Sequence, residues 1–314
     1  TLDESASTFG TLALTGANVA VTDAGAVDLG ASTISGTFGI TSGGAITDSG
    51  TQAITGDATF TNTAGDDDAI TLDDASNDFG GTVTFAADSG SAVTIVDITA
   101  LDLKALTAAS LSATAGGAVT DSGTLAIAGA TTISASGQDI TLDDSASTFG
   151  TLALTGVNVA VTENAATDLG ASTVSGTLGI TSAGAVTDSG TLAITGATTI
   201  SASGQDITLD ESASTFGTLA LTGANVAVTD AGATDLGAST VSGTLGITSA
   251  GAVTDSGTLA ITGATTISAS GQDITLDEAA STFGTLALTG ANVAVTDAGA
   301  VDLGASTVGG TLGI

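Results

Sequence analysis

Residues 141–207 form a 67-residue stretch that recurs over 208–274 with five changes: Asp144/Glu211, Val157/Ala224, Glu163/Asp230, Asn164/Ala231 and Ala165/Gly232. A further copy begins at Thr275 and stops mid-unit at Ile314, and two more divergent copies, 1–70 and 71–140, come first. A fixed internal period of this length means that one small unit stacks on the next, since no unit can bury its apolar face alone. The chain is therefore read as one continuous repeat array over 1–314, not as two globular domains. Both ends fall inside a repeat, which reads as a window on a longer chain.

Within a unit the apolar residues come as alternating pairs: Leu152/Leu154, Val159/Val161, Leu178/Ile180, Leu192/Ile194 and Ile207/Leu209. Alternation at spacing two, with Thr and Val around it, is the strand signature. Gly, Ser, Asn and Asp separate the pairs, and these residues turn a chain through positive φ or side-chain hydrogen bonds. Proline is absent. A sandwich of hairpins would favour Asn-Gly or Asp-Gly turns, and neither dipeptide occurs. The pattern predicts an all-β fold, a parallel β-helix or β-solenoid whose coils hydrogen-bond to one another at about 4.8 Å. A duplicated unit should add whole coils. Three triangular coils of about 22 residues or five flattened ones of about 13 both satisfy this, and the triangular form encloses the fuller core. Residues 100–106, the one place where a helical turn is conceivable, align with strand in the later copies.

Composition narrows the functions. There are 33 acidic residues against one basic residue, Lys104, with no His and no Cys. Nucleic-acid binding needs phosphate neutralisation by Lys or Arg, and anionic membrane surfaces need the same. No apolar run is long enough to insert in a bilayer. Yet 42% of the chain is apolar, so it is not an acidic disordered tail.

The acids recur with the unit. One set is Asp3, Asp73, Asp143, Asp210 and Asp277, each followed by a second acid; others are Asp48, Asp121, Asp188 and Asp255, and Asp139, Asp206 and Asp273. Solvated turn carboxylates are the plain reading. Calcium, which takes oxygen ligands from carboxylates and carbonyls, is the one ion they could hold, and Asp66, Asp67 and Asp68 are the densest local candidate. No other cofactor is implied. An enzyme is not expected: the same carboxylates repeat in every unit, and no His, Cys, Arg, Tyr or Trp supplies a base, nucleophile or clamp. The phenylalanines at 9, 79, 149, 216 and 283 return once per unit and read as core. Thr59, Thr61 and Thr63 form a run that an ice-binding face would use, although Thr is ordinary in strands.

Segments such as 77–83 (NDFGGTV), 110–123 (SLSATAGGAVTDSG) and 233–237 (ATDLG) resemble the repeats of filamentous-haemagglutinin-like bacterial exoproteins. The resemblance implies a secreted, right-handed parallel β-helix serving as an adhesin stalk or extracellular fibre. The expected protein is thus an extracellular structural fibre that self-associates end to end or laterally with divalent cations as partners. The alternative is a calcium-dependent surface binding module.

Overall fold

Residues two apart on a strand share a face, so each alternating pair can drop two side chains into a core while the residues between face water. The computed structural model, which describes residues 1–63, 65 and 67–314, uses the pairs in this way. The chain is an all-β parallel solenoid of about 16 turns, with no helix among the described residues. It divides into two compact units, Thr1–Thr162 and Glu163–Ile314.

In the first unit one column of paired residues runs Leu2, Val21, Ile40, Phe60, Phe85, Leu106 and Leu125. The long step, Phe60 to Phe85, absorbs the extra residues that follow Ala58–Asn62. A second sheet carries Val27–Leu29, Ile46–Asp48, Ile70–Leu72 and their neighbours. A short third one holds Thr15–Gly16, Ser32–Ile34, Gln52–Ile54 and Asp78–Phe79. Phe60 packs against Phe38, Phe79 and Phe85, with ring centroids 5.7, 6.0 and 5.6 Å away. This cluster draws three of its four rings from outside the once-per-unit series. Of that series, Phe79, Phe149 and Phe216 are buried, whereas Phe9 and Phe283 are half-buried. Residues 101–106 are strand, within Leu101–Ala108, and Ala100 lies just before it. Lys104 is an exposed bulge there: Val83 pairs with Leu103 and Thr84 with Ala105.

In the second unit the column Thr167, Val186, Ile207, Val226, Leu245, Thr265, Leu286 and Leu303 advances by 17 to 21 residues per coil. A 67-residue repeat therefore winds about three and a half coils, and the expectation of whole coils is corrected. Copies of one segment alternate between two sheets. Leu178–Ser182 pairs with Thr198–Ser201 in one sheet. Leu245–Ser249, its copy, pairs with Val226–Asp230 and Thr265–Ser268 in the other. Leu312–Gly313 pairs with Val293–Val295, back in the first. The half coil is accommodated because both sheets need the same thing from a strand, one inward apolar pair.

Apart from the phenylalanine cluster of the first unit, the core is mainly Leu, Ile, Val and Ala; in the second unit Leu192, Ile207, Leu219 and Val253 are fully buried. Burying a side chain of this size stabilises by about 1.5–3 kcal/mol. Glycine has a different role from the one its turn positions suggest. Positive φ occurs in the described glycines only at Gly137, Gly204 and Gly271. At Gly190 and Gly257 an added Cβ would instead strike the backbone of Ala171 and Ala238 on the preceding coil.

Candidate functional site

The chemistry-bearing groups of this chain are carboxylates, and the strand register sorts them into four positions. The first is a strand-final acid facing inward. In Val226–Asp230 the valines at 226 and 228 point to the core, and parity carries Asp230 there with them. Asp23, Asp97, Glu163 and Asp230 are each no more than 2% exposed. Asp230 accepts the Gly232 N–H at 2.8 Å and the Thr234 hydroxyl at 3.2 Å. Asp23 accepts Gly25 N–H at 2.9 Å and Phe9 N–H, from the preceding coil, at 2.7 Å. Burial pushes the Asp97 and Asp230 carboxyls above their ordinary range, against the donors that favour the charged form. The sequence reading missed this position, although its signal, the Val-x-Val-x-Asp spacing, lies in plain view.

The second position, Asp48, Asp121, Asp188 and Asp255, caps the next coil. Asp188 accepts the Asp210 N–H at 2.8 Å and the Glu211 N–H at 3.4 Å; Asp255 does the same for Asp277 and Glu278. The turn that follows is closed by Ser214 N–H on Glu211 O, and buried Ser214 returns its hydroxyl to accept Leu192 N–H at 2.9 Å. Burial raises Asp188 and Asp255, and repulsion from the two acids of the capped turn adds to it.

At the third position acids alternate with neutral groups. Asp206 accepts the main-chain and side-chain N–H groups of Asn225 at 3.1 and 2.9 Å, and Asn225 Oδ1 accepts Thr244 N–H and Oγ1–H at 3.0 and 3.1 Å. Asp273, Asn292 and Thr311 repeat the ladder. The fourth position is outward on a sheet. Asp235 accepts hydroxyls of Thr218, Thr254 and Ser256 at 2.8, 3.3 and 2.7 Å.

Of the calcium candidates, Asp66 lies outside the described residues. Asp67 is exposed at φ 57°, and Asp68 lends its carbonyl to Asn62 Nδ2 at 3.0 Å. Asp73 and Asp74, their neighbours in sequence, have their N–H groups on Asp48 instead. Among the described residues no three acidic, His or Cys side chains are gathered as a metal site requires. The Thr82 N–H holds the Asp57 carboxyl below its usual value, and Lys104, the one basic side chain, adds a smaller pull in the same direction. Thr59 and Thr61 do face outward, stacked on Gly39 and Thr41, so the run continues on one neighbour only at its second residue. An open notch of the second unit, about 470 Å³, is walled by Ser270, Gly271, Thr289, Gly290 and Asn292 and holds no carboxylate.

These positions return with the period of a repeat family. Residues 16–86, 90–155, 156–222 and 223–289 each match the family described as "Repeats of unknown function (DUF5649)". The chain belongs to this family. Its copies are in a different phase from the units above, and the one wholly inside the second unit, 223–289, is also 67 residues long and so winds about three and a half coils. Comparison with curated proteins and with solved structures gave no match.

Proposed function

We propose that this chain is part of an extracellular structural fibre or adhesin stalk, of the kind built by filamentous-haemagglutinin-like bacterial exoproteins. The observation that carries the reading is a parallel solenoid of near-identical stacked repeats in which acids such as Asp188, Asp206 and Asp230 cap and bridge the coils. A reactive centre would be a single irregular place, whereas these groups recur at each repeat with a backbone or hydroxyl partner. The chain therefore works mechanically, without catalysis or a required cofactor. Backbone ladders run along the fibre, and the net charge of −32 keeps its outside hydrated. Nucleic acid and anionic membranes are not partners of such a surface. Other copies of the chain are, joined end to end or laterally, with divalent cations screening the contact.

Antibodies raised against the 208–274 repeat and applied to intact source cells test this. Labelling of unpermeabilised cells, and of filaments shed from them, is expected. Labelling that appears only after lysis would refute the extracellular reading.

A further inference from the structure

Thr173, Thr240 and Thr307 are the same residue of three successive repeats, and all three are exposed. Thr173 pairs with Ala193 in one sheet of the second unit. Thr240 pairs with Thr222 and Ala260 in the other. Thr307 pairs with Thr289, in the first sheet again. The capping acids travel the same way, Asp188 in the first sheet and Asp255 in the second. Three and a half coils per repeat leave a net rotation of half a turn about the solenoid axis.

We propose that each 67-residue repeat is a half-turn spacer: gain or loss of one repeat reverses the face that all later sequence presents, and gain or loss of two changes length alone. The consequence is two ranks of identical surface, back to back. Along one rank the spacing is two repeats, seven coils, or about 34 Å; between ranks the axial offset is about 17 Å. Anything that reads the repeat is therefore held on both faces. A solenoid of this kind joins what lies on either side of it and cannot display all its copies in one direction. The inference concerns winding alone and stands whether or not the protein is a stalk.

The chain contains no cysteine, so paired Thr→Cys substitutions at 173, 240 and 307 in the full chain can carry spin labels at no other site. Pulsed electron paramagnetic resonance then gives three distances. The pair 173/307 should be about 34 Å apart on one face. The pairs 173/240 and 240/307 combine the 17 Å offset with a sheet separation of about 10 Å, giving about 20 Å between backbones and more between labels pointing apart. The two short distances should thus sum to well above the long one. In a chain lacking residues 208–274, the 173/307 pair should move from its long same-face value to the cross-face value of 173/240. Exposed Ala171, Ala238 and Ala305 form a second triple, used if a threonine substitution disturbs the circular dichroism. Collinear distances, two of about 17 Å adding to about 34 Å, would overturn the proposal.

Discussion

Coils about 4.8 Å apart leave little room where two turns lie directly over one another, and Gly257 marks such a place. A Cβ there would stand 2.8 Å from Ala238 Cα and from the Gly237 carbonyl carbon, and nearer still to Ala238 N. The φ of Gly257 is not in the left-handed region, so a side chain meets a purely steric obstacle. Carbon atoms rest about 3.5–4.0 Å apart, so Gly257→Ala must part the two turns by roughly 1 Å. A gap of this size forfeits a quarter to a half of each van der Waals contact across it. Because the obstacle is backbone, no rotamer relieves it, and a cost of about 1–3 kcal/mol is expected. Gly246→Ala is the internal control. Its Cβ would meet only Val226 O, at 3.8 Å, and a less flexible unfolded chain should make it neutral or stabilising by about 0.4–1 kcal/mol.

Urea unfolding of the full chain followed by circular dichroism would rank the two variants. A repeat array can unzip in parts, so a local readout is needed beside it. Ser256 N–H bonds Leu236 O at 2.9 Å and Ser239 N–H bonds Thr258 O at 3.0 Å, both beside the strained turn. Their hydrogen exchange should accelerate about tenfold for each 1.4 kcal/mol of local loss. Equal stability of Gly257→Ala and Gly246→Ala, with unchanged exchange at Ser239 and Ser256, would refute the argument that glycine is there to let coils close.

Mild acid should stabilise the fold. Asp48, Asp97, Asp121, Asp188, Asp230 and Asp255 hold their protons more tightly folded than unfolded, burial being the largest cause. Their stabilising contribution is complete below the ordinary value of 3.8 and is lost as pH rises through the raised values. The melting temperature should climb from pH 7 toward pH 4, and a steady fall over that range would contradict the assignment. Thr198 and Thr265 are fully buried with no partner for Oγ1, so Thr198→Val should raise stability by about 1 kcal/mol in urea titrations; a loss of similar size would mean that the hydroxyl is satisfied. Trypsin should leave the folded chain intact, since Lys104 sits mid-strand with paired neighbours on both sides, while the denatured chain should give two fragments. Rapid cleavage of the folded protein would show that the bulge opens.

The fold class was legible because it depends on parity. Leu178/Ile180 and Ile207/Leu209 state which side is inward, whichever sheet receives them. Coil size was not, because no residue marks the passage from one sheet to the other: Leu178–Ser182 and Leu245–Ser249 carry the same sequence in different sheets. Whole coils per repeat were a geometric assumption, and a solenoid with two interchangeable sheets is free of it. Glycine misled in a related manner. Its usual warrant in turns is positive φ, whereas Gly190 and Gly257 are required by a neighbour 19 residues away in the chain. Among the carboxylates, Asp188 and Asp206 could be found by recurrence. Inward Asp230 needed the parity argument to be carried two residues past the last valine.

The long period also explains how so acidic a chain can stack. Two unit charges one coil apart repel by about 0.9 kcal/mol even at the dielectric of water, and a one-coil repeat would set like on like through the entire column. Here Asp206 is followed along the axis by Asn225 and Thr244, and Asp235 lies between Thr218 and Thr254. Each carboxylate thus faces donors on the adjoining coil instead of another carboxylate. The exception is instructive. Asp188 does adjoin Asp210 and Glu211, and there the turn supplies two backbone N–H groups to the crowded charge. Acid therefore holds coils together wherever the next coil offers donors, and the repeat must be long enough to vary its corners. A repeat that winds a half-integral number of coils doubles that length again, since like acids return to the same column only after two copies.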